Sequence, residues 1–274
     1  MTWRPATEQH AIERVRIALT FDRPLPHRKI RGLGASLGDR LPSLGFGPIM
    51  VQAGPSISIQ MGPNGPVAVP QDPQDSAGWT FQRTNSRGLA VEAIQLVENM
   101  LTYESMEYSR WPSFFERFRN VASEVAGELL SLEDPASLTL EYQDLFWFEG
   151  PPTSARPSEL LRIAAEVVPA AALDGQNLWH VHRGWFEEGR RGGDDFGRLL
   201  LRHNLDASDG AMRNQQRRIV RMNTLAEGRR GFWTIAGDDL QPHLDIMHAR
   251  TKEVFSEALT DEVCRRIGIV REDS

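Results

Sequence analysis

The alternation of apolar and polar residues along the chain predicts a protein rich in strands. Over residues 14–21 every second residue is apolar, and these residues are Val15, Ile17, Leu19 and Phe21. A period of two is typical of a half-buried strand. The clearest such run in the first half is 138–148. The same reasoning predicts strands at 56–61, 79–82, 89–101, 177–186, 196–206, 217–225 and 231–236.

Apolar residues three and four positions apart predict helices. In the stretch 109–130 one side of such a helix carries Trp111, Phe114, Phe115, Phe118, Val121, Val125 and Leu129. This spacing indicates an amphipathic helix that covers a sheet. Further helices are predicted at 30–41, at 158–167 and at 239–258. Thr260, with two acidic residues after it, predicts the cap of a last short helix that ends at Gly268.

Glycine and proline mark the segments between these elements. Residues 63–65, Pro-Asn-Gly, predict a turn, and 66–78 is predicted to be an exposed loop. Residues 85–88 predict a hairpin turn. The segment 150–157 is the best candidate for a boundary in the chain, because it combines three prolines with a glycine.

The order of these elements is strands, helix and strand, followed by helix, strands and helix. It predicts an α+β fold made of two similar halves, each an antiparallel sheet with one long helix packed on a face. We expect the halves at residues 1–150 and 151–274, packed as one unit.

Composition limits the compartment and the partners. The 274 residues carry a formal net charge of −6, which provides no overall attraction to nucleic acid or to an anionic membrane. The N-terminus lacks an apolar signal core, and no run is long enough to span a bilayer. We therefore expect a cytoplasmic protein without membrane association. The single cysteine, Cys264, has apolar neighbours on a predicted helix and is expected to lie in the core.

Five of the seven histidines lie in the second half of the chain and suggest a metal site. His180 and His182 are two residues apart, so on a strand they share a face. The candidate ligands are His180, His182, His203 and His248, with Asp206 or Asp245. The spacing of His243 and His248 does not match the i, i+4 pairs that share a helix face. Scattered surface or polar-core histidines are therefore the favoured interpretation.

Arginines are concentrated between residues 213 and 230. The candidate binding residues among them are Arg213, Arg217, Arg218 and Arg221. A basic strip on a strand could bind phosphate, an acidic peptide or RNA. Many acidic residues lie nearby in the sequence, so a solvated strand is the favoured interpretation. Aromatic residues are not regularly interleaved with the arginines, which weighs against single-stranded nucleic acid.

The run Phe146-Trp147-Phe148 places aromatic side chains on both faces of a predicted strand. One of its sides is therefore expected to be covered by a loop, by the other half or by a partner. Trp147 joins the arginines as a candidate binding residue. The usual catalytic motifs are missing from the sequence, since there is no Walker loop, no dinucleotide fingerprint and no nucleophile elbow. No cofactor is indicated.

Three stretches together resemble a known family. They are Trp79-Thr80-Phe81, then Tyr108-Ser109-Arg110-Trp111 leading into Phe114, and a final helix with Leu244, His248 and Phe255 before Leu259-Thr260-Asp261-Glu262. The pattern is similar to a sporadically distributed, functionally uncharacterised family of bacterial proteins of about this length. The resemblance implies one architecture over the whole chain and no particular activity. The family tends to have an Arg-Tyr-x-Asn strand where this chain reads Glu141-Tyr142-Gln143-Asp144, so any site built on that Arg and Asn is altered here.

These observations favour a non-catalytic binding or regulatory module over an enzyme. We expect it to act with a protein partner or as a homo-oligomer, within a multi-gene bacterial system. Its candidate contact surfaces are the loop 62–78, the strand 146–148 and the arginine strip 213–221. One alternative is a metal-dependent hydrolytic enzyme that uses the histidine and aspartate set. The other is a nucleic-acid-associated accessory protein that uses the arginine strip.

Overall fold

A computed structural model describes residues 2–8, 10–50, 57–62, 65–70, 78–97, 99–129, 135–162, 178–191, 194–229 and 240–269. Over these residues the chain is α+β and consists mostly of antiparallel sheet. The strands are β1 (Trp3–Pro5), β2 (Ile12–Phe21), β3 (Gly47–Met50), β4 (Ile57–Gly62), β5 (Gly65–Pro70), β6 (Trp79–Thr84), β7 (Ala90–Val97), β8 (Met100–Ser105), β9 (Pro135–Phe148), β10 (Trp179–Arg191), β11 (Asp194–Met212) and β12 (Gln215–Arg229). The helices are α1 (His27–Arg40), α2 (Trp111–Leu129), α3 (Gln241–Ala258) and α4 (Asp261–Arg266).

The chain divides into two compact units. One consists of Met1–Arg16 and Thr139–Ser274, and the other of Ile17–Leu138. The boundaries fall inside β2 and β9, so each of these strands contributes residues to both units. The predicted halves at 1–150 and 151–274 come from the repeated order of helices and strands, whereas the two units are defined by their compactness. The similarity of the two halves stays a prediction.

The sheet of the first unit follows the order β10-β11-β12-β9-β2, with β1 paired to the end of β9. Helix α3 packs against β11 and β12. Its Phe255 ring stacks on that of Phe146 from β9, with ring centroids 6.4 Å apart. Leu205 and Met222 belong to the same buried cluster. Because side chains alternate along a strand, the even-numbered residues of β9 and β12 face α3 and the odd-numbered ones face away.

Helix α4 begins as the sequence predicts. The Thr260 hydroxyl accepts a hydrogen bond from the Val263 N–H at 3.4 Å, which caps the first turn. Cys264 is buried in the core, as predicted. Burial raises the pKa of its thiol to about 11, so it stays a protonated packing residue.

The predicted helix at 158–167 is wrong over its described part. Pro157–Glu159 form a single 3-10 turn, and Leu161 bridges Leu259 instead. The backbone explains the difference, since the N–H of Arg162 donates to the Ala258 carbonyl at 2.9 Å. The Leu160 carbonyl accepts from the Thr260 N–H in the same way, so neither group is available to continue a helix. Residues 163–167, and the strand predicted at 231–236, lie outside the described residues.

The sheet of the second unit follows the order β2-β8-β7-β6-β3, and β4 and β5 form a separate hairpin. Helix α2 confirms the predicted amphipathic helix. Its Phe114 and Phe118 rings each lie 5.8 Å from the ring of Tyr103 on β8. The apolar side of the helix therefore packs on the sheet, as its spacing predicts.

Two loop and strand predictions in this unit need correction. Residues 89–101 do not form one strand, because the chain reverses after Val97, which pairs with Met100. In the candidate loop surface at 62–78, Gly65–Pro70 form β5 and pair with β4. Residues 63–64 and 71–77 of that surface lie outside the described part of the chain.

A buried carboxylate connects α2 to the sheet of the second unit. Glu92 on β7 accepts hydrogen bonds from Arg117 of α2 at 2.9 Å and from Arg83 of β6 at 2.9 Å. The Tyr103 hydroxyl donates to the same carboxylate at 3.2 Å. Burial acts to raise the pKa of Glu92, but the hydrogen bonds from the two arginines outweigh it and hold the pKa below its usual value. We interpret this network as structural, because Arg117 also donates to the backbone carbonyl of Leu44.

None of the helices in the described ranges is long and apolar enough to cross a membrane.

Candidate binding site around Trp147

A pocket of about 500 Å³ lies beside Trp147 in the first unit. Four parts of the chain form it: β1 with the residues after it, the end of β9, the turn between β11 and β12, and the end of α4. The lining residues are Arg4, Pro5, Ala6, Thr7, Glu8, Trp147, Glu149, Arg213 and Arg266. Strand pairing explains why these parts meet, since Arg4 is the register partner of Trp147.

Trp147 forms a rigid wall of this pocket. Its side chain is packed with Leu145 and Ile219 in a small apolar cluster on the face away from α3. Phe146 and Phe148, its neighbours in the strand, are buried in the main core on the other face. The chain therefore covers both sides of this aromatic run within the first unit, and the run does not form an exposed surface.

Two arginines approach the Trp147 ring from the β11–β12 hairpin. The guanidinium carbon of Arg213 lies 5.1 Å from the ring centroid, and that of Arg217 lies 6.0 Å from it. Both distances are in the range of cation–π attraction. Arg217 also donates to the Glu149 carbonyl at 2.6 Å, which fixes its position at the end of β9.

The hairpin turn has an unusual residue at its first position. Arg213 and Asn214 have φ values of 51° and 62°, so both are left-handed. Two such residues between paired strands form the turn that suits the twist of a β-hairpin. Glycine and asparagine adopt this conformation readily, whereas arginine does so at a cost of roughly 1 kcal/mol. The turn thus carries strain at the residue that faces the pocket.

The pocket has more positive than negative charge. Its lining contains three arginines and two glutamates. Arg4 is neutralised by Glu149, whose carboxylate lies 3.0 Å away. Arg266 donates to the Thr2 hydroxyl at 3.0 Å. Within the described ranges neither Arg213 nor Arg266 makes an ion pair with a carboxylate.

The other two arginines of the predicted strip lie elsewhere. Arg218 is buried on the opposite face of β12, where its Nε donates to Asp209 at 2.6 Å. Arg221 shares the face of Arg217 but lies 3.6 Å from the carboxylate of Glu13. Alternation along the strand and pairing with acidic residues therefore divide the strip. Of the five predicted binding residues, Trp147, Arg213 and Arg217 come together.

The predicted metal ligands do not form one cluster. His180 and His182 lie on the exposed face of β10, with ring centroids 5.2 Å apart, and Asp206 is the register partner of His180. His203 is register partner to Arg183 and so lies on the opposite, buried face. Its Nδ1 lies 2.9 Å from the Thr224 hydroxyl.

The remaining two predicted ligands, His248 and Asp245, lie on α3. Nδ1 of His248 lies 2.9 Å from the Tyr142 hydroxyl of β9. Among the residues that the structure describes, no group of three or more histidine, cysteine, aspartate or glutamate side chains is placed to hold a metal ion.

Three buried groups on the α3 side have shifted pKa values. Burial lowers the pKa of His203 to about 4, with a smaller effect from the charge of Arg183. Burial also lowers the pKa of His248 to about 4. Burial raises the pKa of Asp144 to about 8. All three shifts favour the neutral form, which is the expected effect of a low-dielectric interior.

Sequence reasoning missed Arg4, Arg266 and Asp144. Arg4 and Arg266 are near opposite ends of the sequence and have no local signal, because only the pairing of β1 and the position of α4 bring them to Trp147. Asp144 could have been found from the sequence, because it lies between Tyr142 and Phe146 on one face of the strand, and that face is otherwise apolar. A charged residue at such a position indicates a special environment.

Comparison of the chain with protein-family models and with curated proteins finds no match.

Proposed function

We propose that this chain is a non-catalytic binding module that engages a protein partner through the pocket around Trp147. The observation that carries the proposal is the pair of guanidinium groups over the Trp147 ring, one from Arg213, which lines the pocket, and one from Arg217. Aromatic and arginine side chains are the residues that most often dominate the energy of protein interfaces.

The rigidity of the site supports this proposal. Trp147 is packed in an apolar cluster, and Arg217 is held by the Glu149 carbonyl. A preformed site loses little conformational entropy when it binds. The volume of about 500 Å³ also suits a pocket that accepts a few side chains.

The two alternatives have less support. The histidine and aspartate set is divided between two faces of a sheet and a helix, which does not favour a metal-dependent hydrolase built from those residues. The arginine strip is divided as well, since Arg218 is engaged by Asp209 on the other face. A long basic surface for nucleic acid therefore has fewer members than the sequence suggests.

The test is co-expression of the full chain with the products of the genes next to its own. We expect one of these products to co-purify with the wild-type chain in a fixed ratio. The double variant with Arg213→Ala and Arg217→Ala should lose at least tenfold in the recovered partner. Arg202→Ala is the matched control, because Arg202 is an exposed arginine on β11 outside the pocket.

Two results would contradict the proposal. One is a partner that co-purifies equally with the wild-type chain and the double variant. The other is the absence of any co-purifying product together with turnover of a substrate by the purified chain. The melting temperature of each variant is measured alongside, so that loss of the partner is separated from loss of the fold.

A further inference from the structure

We infer that the part of the partner that enters this pocket is an acidic peptide segment, and that one of its carboxylates binds the guanidinium groups of Arg213 and Arg266. The inference rests on the proposed function, since it names the chemistry of the segment that the same pocket receives.

The charges in the pocket support a carboxylate ligand. Arg4 already has Glu149 as its partner. Arg266 bonds to the neutral hydroxyl of Thr2, and Arg213 lies over the neutral ring of Trp147. These two guanidinium groups therefore retain their charge and part of their donor capacity. Arginine binds carboxylates with two parallel hydrogen bonds, which makes an aspartate or glutamate side chain a fitting ligand.

The remaining lining fits a peptide better than a nucleic acid. Pro5 and Ala6 provide half-buried apolar surface on which the stem of a glutamate or a neighbouring residue can pack. Glu8 and Glu149 also line the pocket. These carboxylates repel a phosphate backbone, which carries a charge on every nucleotide, whereas a peptide can place uncharged residues beside them.

The strained turn gives a further reason to assign a binding role to Arg213. Glycine or asparagine at this position would form the same turn with less strain. Strained residues of this kind are concentrated at functional sites, where the surrounding structure holds them in place. The same residue that has the left-handed backbone also holds its guanidinium over Trp147 at the pocket wall.

The test uses a model peptide and the full chain. An acetylated and amidated hexapeptide with two central glutamates between uncharged serine and alanine residues is titrated into the protein by calorimetry at low salt. We expect binding at one site per chain, weakened at least tenfold by Arg213→Ala and by Arg266→Ala. Arg213→Lys keeps the charge but loses the paired hydrogen bonds, so it should weaken binding by an intermediate factor. Arg202→Ala should bind as the wild type does.

Three outcomes would overturn the inference: no binding of the hexapeptide at low salt, equal weakening by Arg202→Ala and Arg213→Ala, or tighter binding of an oligonucleotide or phosphopeptide of equal charge. The co-expression test distinguishes this failure from failure of the proposed function. If a neighbouring gene product requires Arg213 but the hexapeptide does not bind, the acidic segment is wrong and the binding module stands. If the hexapeptide binds and no partner depends on Arg213, the proposed protein-binding role is wrong.

Discussion

The hydroxyl of Tyr142 lies 2.9 Å from Nδ1 of His248, and this contact connects β9 to α3 inside the first unit. Burial keeps His248 neutral by lowering the pKa of its ring to about 4. A neutral ring carries one proton, so Nδ1 and the tyrosine hydroxyl share a single hydrogen bond, and the tautomer of His248 sets which of the two donates. Next along the same face of β9, beyond Asp144, the stacked rings of Phe146 and Phe255 form a second contact between β9 and α3.

Replacement of Tyr142 by phenylalanine tests the value of this contact. The ring packing is kept and only the hydroxyl is lost, so Tyr142→Phe should lower the free energy of unfolding by about 1–2 kcal/mol. Urea denaturation measures the change. His182→Ala is the control, because His182 is exposed on β10, and it should leave the midpoint almost unchanged. Equal midpoints for Tyr142→Phe and the wild type would show that the hydrogen bond contributes nothing net.

Buried neutral histidines predict a loss of stability in mild acid. His203 and His248 have pKa values near 4 in the folded chain, whereas a histidine in an unfolded chain titrates near 6.5. Below that value the unfolded chain binds more protons, so stability falls as the pH drops from about 6.5 towards 4. Each histidine should contribute a loss of roughly 2 kcal/mol between pH 7 and pH 5. Unfolding curves for His203→Gln should show a smaller loss over this interval, and a loss equal to that of the wild type would contradict the buried neutral state.

Asp144 predicts the opposite dependence at higher pH. Its folded pKa is about 8, well above the value near 3.9 in an unfolded chain. The folded chain then holds a proton that the unfolded chain has released, so stability falls as the pH rises from about 4 through 8. Between pH 5 and pH 8 the expected loss is about 3.5 kcal/mol. Asp144→Asn cannot titrate and should remove this slope, even if the variant is less stable at every pH.

The Glu92 network predicts that a conservative substitution of this buried carboxylate lowers the free energy of unfolding of the second unit considerably. Glu92→Gln keeps the shape of the side chain but leaves Arg117 and Arg83 without their buried charge partner. The expected decrease in the free energy of unfolding is about 3 kcal/mol. Glu188→Gln removes the carboxylate of an exposed ion pair with Arg198 and should change the urea midpoint little. Similar effects of the two substitutions would show that burial does not strengthen the Glu92 network.

Two glycines of α1 offer a matched pair of substitutions. A Cβ atom added to Gly34 would lie 2.0 Å from Nε1 of the Trp79 indole, whereas one added to Gly32 would meet nothing within 4 Å. Both changes to alanine gain helix propensity, so Gly32→Ala should stabilise the chain by about 0.5–1 kcal/mol. Gly34→Ala should destabilise it by about 3 kcal/mol, because Trp79 has to move. Thermal melting of both variants measures the difference, and an increase in melting temperature for Gly34→Ala would contradict the close packing.

Periodicity in the sequence was sufficient for most of the helices and strands. The spacing of aromatic residues predicted α2, and alternation predicted β2, β9, β11 and β12. These features are local, because the backbone conformation itself sets periods of 3.6 and 2 residues. The failures were at reversals and pairings. Residues 89–101 form two strands, and the predicted helix after residue 157 is a segment paired with the end of α3.

The candidate site shows the limit of local patterns more sharply. The sequence by itself determined that arginines and Trp147 were candidates, because a basic strip and an aromatic run are visible as residue types. Only the tertiary structure decided that Arg213 and Arg217 lie over Trp147 while Arg218 faces Asp209. It also brought Arg4 and Arg266 to the same pocket from the two ends of the chain. The physical reason is that side-chain alternation assigns residues to faces locally, whereas strand register and helix docking between distant segments decide which faces meet.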